Sequence, residues 1–132
     1  MQYFRLDGVE FDVAVESIEE NFTILYSEET GRTMSSGARM SLFPLGTFYG
    51  HKVRVRRKSG KENDFDALFD YVSIPRDEGI FVEIAHNQET IGYDAYISNG
   101  IRKIKRIDES NGKILWDGMD LNIIPMEAQI KV

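Results

Sequence analysis

Apolar and polar side chains alternate along much of this chain, and a period of two marks strands with one buried face. In TFYGHKVRVRR, Val53 and Val55 fall on one side while Lys52, Arg54 and Arg56 fall on the other. YFRLDGVEFDV spaces Phe4 and Leu6, then Val9, Phe11 and Val13, in the same way. The Asp7-Gly8 pair between them predicts a tight hairpin turn. AVESIEENFTILY has Val15, and then Phe22, Ile24 and Tyr26 at strand spacing, with an ambiguous stretch between. GIFVEIAH and IGYDAYIS predict a hairpin across Asn87 to Thr90, and IRKIKRID predicts a further strand. ESNG supplies turn chemistry before KILWDGMDLNII, where Met119, Leu121 and Ile123 share a face. PMEAQIKV, residues 125–132, reads as a loose arm or an edge segment.

One segment changes period. Phe65, Leu68, Phe69 and Val72 fall at i, i+3, i+4 and i+7, which predicts a helix with one apolar stripe. Asn63 is a candidate cap, and Ser59 with Glu62 offers a competing capping box. Asp64 and Asp66 suit the positive end of the helix dipole. Pro75 ends any continuation, because its ring and missing N–H do not fit a helix interior. The order of elements predicts one mainly β (α+β) domain over residues 1–132: an antiparallel β-sandwich or barrel with one flanking helix. A long loop, about residues 27–41, is rich in Ser, Thr and Gly and has no apolar period. Such a loop is a mobile surface segment or an arm that orders against a neighbouring subunit.

Composition narrows the classes. A chain of 132 residues that is 42% hydrophobic and 29% charged has the profile of a globular domain with an ordinary core. It contains no cysteine, so disulfides and thiolate metal sites are excluded. No apolar run approaches the length of a membrane span, and MQYFRLDGVEF lacks the apolar core of a signal peptide. The expectation is a cytoplasmic protein.

Candidate chemistry is sparse. His51 and His86 lack metal-ligand spacing, and a surface or hydrogen-bonding role is expected for each. Asp117 and Asp120 flank Gly118 and are not expected to share a face; Glu28 and Glu29 lie in the loop. Gly118 reads as a bulge or close-packing site. No nucleophile elbow, Walker loop or dinucleotide fingerprint is present. Neither catalytic residues nor a cofactor or metal is expected.

The basic runs stand out against a net charge of −6. Lys52, Arg54 and Arg56 form one, and Arg102, Lys103 and Lys105 another. Both interleave with aliphatic residues, whereas a single-strand binder presents stacking rings. Acidic surface must gather elsewhere, in Glu16, Glu19, Glu20, Glu28, Glu29 and the helix aspartates. One copy's basic strip then meets another's acidic strip, a contact that can close into a ring. The alternatives are a solvated sheet face, or a small β-domain that binds nucleic acid or an acidic protein through these cations.

The order of GRTMSSG, LGTFYGHKVRVR, DFDALFDYVSIP, FVEIAHNQETIGYDAYISNGIRKIKR and LNIIPMEAQ resembles small structural proteins of phage and prophage tails from Gram-positive bacteria. That resemblance covers nearly the whole chain. It implies a tail-tube-like fold, hexameric rings, other tail proteins as partners, DNA only as passing cargo, and a place in the virion tail. It also implies that the loop holding Arg32, Thr33, Met34 and Ser35 reaches a neighbouring subunit. The expected subunit interface is that loop with Lys52, Arg54, Arg56, Arg102, Lys103 and Lys105.

Overall fold

The computed structural model describes residues 3–32 and 40–132. Its strands are β1 (Phe4–Leu6), β2 (Ala14–Tyr26), β3 (Gly31–Arg32), β4 (Met40–Ser41), β5 (Pro44–Arg56), β6 (Ile80–His86), β7 (Glu89–Asp108), β8 (Lys113–Pro125) and β9 (Ile130–Lys131). One helix, α1 (Glu62–Val72), separates β5 from β6. The main sheet runs β1-β6-β7-β8-β5-β2, with β9 beside β5, and every pairing in it is antiparallel. The mainly β architecture with one flanking helix is as the periodicity predicts. The barrel alternative is not: β1 and β2 end the sheet without pairing to each other. What remains is a layered, sandwich-like arrangement.

Alternation decides which face is buried. Val53 and Val55 point inward from β5, opposite Leu121 and Met119 of β8. Ile80, Val82 and Ile84 of β6 and Tyr93 and Ala95 of β7 extend the same face. Phe65 and Leu68 of α1 lie against it fully buried, with Phe69 and Val72 at the margin. The helix stripe and the strand stripes therefore make one core.

Several local expectations are revised. Asp7 and Gly8 both adopt positive φ, 51° and 79°, as a tight turn requires, but the hairpin closes with a single bridge from Leu6 to Val9. β1 spends its pairing on β6 instead. The ambiguous stretch after Val15 is continuous strand. IGYDAYIS and IRKIKRID merge into one strand of 20 residues. Helix α1 starts at Glu62 with Lys61 at its cap position and no side-chain cap bond, so neither Asn63 nor Ser59 caps it. The loop expected over 27–41 contains the two-stranded β3–β4 ribbon. The C-terminal segment is an edge: β9 pairs with Gly46 and Thr47. Gln129 clamps Tyr49, accepting its N–H at 2.9 Å and donating to its carbonyl at 3.1 Å.

Register sets where the long hairpins go. β5 and β8 pair from His51↔Ile123 to Val55↔Met119. Residues 44–50 of β5, with the end of β2, run past the core in one direction. Residues 113–118 of β8, with residues 101–108 of β7, run past it in the other. Two β arms thus leave opposite ends of the sheet.

Candidate functional site

The basic residues singled out by sequence divide into two groups. Arg54 is held by carboxylates on both sides: Glu16 of β2 at 2.8 Å, Asp120 of β8 at 3.0 Å and Asp117 at 3.8 Å. Arg56 shares Glu16, also at 2.8 Å. Asp117 and Asp120 therefore converge on one cation, contrary to the sequence expectation. The cause is an irregularity in the β7–β8 register, where Lys103↔Gly118 is followed by Ile104↔Trp116 and Asp117 is left over. Gly118 is close-packed as expected, since a Cβ there would stand 2.9 Å from the Arg54 guanidinium.

Arg102 is held more tightly still. Its guanidinium lies 3.9 Å from the ring centres of both Phe69 and Trp116 and 3.0 Å from the Asp66 carboxylate. It fastens the β7–β8 arm to α1. Lys52, Lys103 and Lys105 are exposed and make no ion pair among the described residues. Arg32 lies in β3, while Thr33, Met34 and Ser35 fall outside the described residues. Of the six β5 and β7 cations in the expected interface, three are thus already engaged within the chain and three are left for solvent or a partner.

Sequence reasoning missed a polar relay at the mouth of the sheet. His51 continues the inward period of Val53 and Val55 and is completely buried, so the surface reading fails for it and the hydrogen-bonding reading holds. The Tyr93 hydroxyl lies 2.6 Å from its Nδ1, and Glu20 Oε2 lies 2.9 Å from its Nε2. His86 Nδ1 approaches the same Glu20 oxygen at 2.6 Å. A neutral His51 protonated at Nε2 satisfies the chain: Tyr93 donates to His51, and both histidines donate to Glu20. Burial lowers the His51 pKa, against the opposing pull of Glu20. For Glu20, burial pushes upward, but hydrogen bonds from His86 and His51 outweigh it and leave the carboxyl below its ordinary value. Burial also raises the Tyr93 pKa, so its hydroxyl stays protonated.

The relay has a structural consequence. Glu20 sits on edge strand β2, and His86 on β6 near the other end of the sheet. Side chains therefore join two strands that the backbone leaves unpaired. No group of three His, Asp or Glu side chains among the described residues is arranged to hold a metal ion.

Outside the core the arms expose apolar side chains. On the β2–β5 arm Phe22 is 66% exposed, and Ile24, Leu25, Tyr26 and Leu45 are also exposed. On the β7–β8 arm Ile101 is 62% exposed, and Ile104, Ile107 and Ile114 accompany it. A groove of about 490 Å³ lies between the end of α1 and the middle of β7, lined by Ile74, Tyr96 and Ile97 among others. No helix among the described residues is long and apolar enough to cross a membrane.

No protein-family model and no curated protein sequence matches this chain.

Proposed function

We propose that this protein is a structural component of a phage or prophage tail that assembles with copies of itself into a ring. The observation that carries the reading is the pair of β arms at opposite ends of the sheet, each exposing large aliphatic or aromatic side chains. Large apolar side chains left in water in such numbers mark an interaction site. Arms at opposite ends suit a head-to-tail contact, which closes into a ring or continues as a filament. The sequence resemblance to tail proteins supplies the biological setting.

Two other readings have less support. Binding of nucleic acid or an acidic protein needs available cations, and Arg54, Arg56 and Arg102 are spent on internal carboxylates and rings. A hydrolase that works through surface carboxylates needs one of them held protonated near neutral pH. The carboxylates that move from their ordinary values, Asp12, Glu16, Glu20, Glu62 and Asp108, all move down.

Negative-stain electron microscopy of the purified chain at rising concentration tests the proposal. Rings, or tubes of stacked rings, of uniform diameter are expected. Dispersed single copies at every concentration, or closed two-fold dimers, overturn it.

A further inference from the structure

Strand β2 ends the sheet and has a neighbour on one side only. It is 13 residues long, and its second half, NFTILY, carries neither charge nor proline. Natural sheets blunt or cover such an edge, because its free N–H and C=O groups template pairing with another chain. A second open edge exists on β7. Strand β6 pairs with β7 only as far as Ala95, so Gly100 to Asp108 is bonded to β8 on one side alone.

The charges on these two edges are opposite. Across its whole length β2 holds Glu16, Glu19 and Glu20 and no cation. The open part of β7 holds Arg102, Lys103, Lys105 and Arg106 against a single acid, Asp108; Arg102 is already paired with Asp66, which leaves Lys103 and Lys105 without an ion pair among the described residues. Pairing β2 with another β2 in antiparallel fashion would set glutamates against glutamates, which destabilises a sheet. Pairing β2 with β7 sets acid against base.

We infer that β2 of one copy adds to the open edge of β7 on a second copy, antiparallel, with Glu19 opposite Lys103. This deepens the assembly reading proposed above and rests on it. The register follows from matching faces. Glu19 and Lys103 both point to the outer face of their sheets, opposite Lys52 and Gly118 respectively. The same alignment puts Ile18 opposite Ile104, both on the core face, where their partners are Val53 and Trp116. It also puts Phe22 opposite Gly100, where the Phe22 ring would lie beside the Leu121 side chain that already covers the glycine. The contact is heterologous: each copy offers β2 to one neighbour and β7 to the other, so it builds a ring or filament and not a closed pair.

Cysteine cross-linking reads this register directly, because the chain has no native cysteine. Residues directly opposite in an antiparallel ladder have Cα atoms about 4.5–5.5 Å apart, within disulfide reach. Glu19 and Lys103 have no ion pair among the described residues, so the variants should fold. Mild oxidation of the double variant E19C/K103C is expected to give a ladder of covalent multimers ending at one ring size. Each single variant should give little product. Efficient dimers from E19C alone would show β2 meeting β2 and overturn the inference. Oligomers that form without an E19C/K103C bond would also overturn it, while leaving self-assembly standing. A chain monomeric under all conditions would remove both. As a second arm, K103E should reduce association at least tenfold, and mixing it with E19K should restore the contact between the two variants.

Discussion

The two halves of β5 obey one alternation and meet opposite fates. From His51 to Val55, inward residues are out of water, the valines in the core that includes α1 and His51 in the polar relay. From Tyr49 back to Pro44 the strand continues, with a register irregularity at Leu45, and there Leu45 is 58% exposed and Leu25, opposite Gly46, is also in water. The polar faces differ as well. Arg54 and Arg56 are tied down by carboxylates of adjacent strands. Period two establishes that a segment is a strand and which side chains share a face. What covers that face is a separate matter: in one half it is the chain's own helix, and in the other only the short strand β9, Gln129 and His86, which leave Leu45 and Phe22 in water.

Mutations should separate the halves. The largest effect is expected at the covered end. Phe65→Ala removes a fully buried ring from the core and should cost about 3–5 kcal/mol of folding stability. Denaturant titration checks it. Phe22→Ser, at the uncovered end, should change monomer stability by under about 1 kcal/mol. It should nevertheless weaken association, measured by light scattering. A Phe22 variant as damaging to folding as the Phe65 variant would break the comparison.

Acid should act on the boundary between the halves, where the relay lies. His51 has a folded pKa below its ordinary value, so the unfolded state binds the proton more readily. Its contribution to stability is complete above about pH 6.5 and is lost as pH falls through that value toward the folded pKa. Glu20, also lowered, adds loss in the same direction at more acid pH. Thermal melts from pH 8 to pH 4 should show a falling midpoint, with the slope near pH 6 reduced in His51→Phe. A smaller effect is expected at Arg102. Its replacement by Ala should cost about 1–2 kcal/mol through the lost stacking on Phe69 and Trp116. The smallest effect is expected for Arg54→Ala, since its ion pairs are solvent-screened; denaturant titration should barely distinguish it from the parent.

Much of this fold is legible in the sequence because it depends on local periods. The inward valines of β5, the Met119-Leu121-Ile123 face and the helix stripe each follow from spacing alone. His51 was within reach too, because it lies two residues before Val53 on the same face. The missed features depend on register between distant strands. Glu16 meets Arg54 and Arg56 only because β2 and β5 pair as they do. Asp117 joins Asp120 at Arg54 only through an irregularity that alternation cannot foresee. Glu20 meets His86 because the sheet curls until strands near its opposite ends come within side-chain reach. The apolar spacing of Phe22, Ile24 and Tyr26 marked a strand face without indicating that it stays in water.

The central claim is that the uncovered arms are buried by further copies of this chain. Sedimentation velocity over a wide concentration range, at low and at high salt, tests it most directly. Association to one defined species larger than a dimer is expected, weaker at high salt because exposed charges are screened. A single monomeric boundary at every concentration and salt would contradict it.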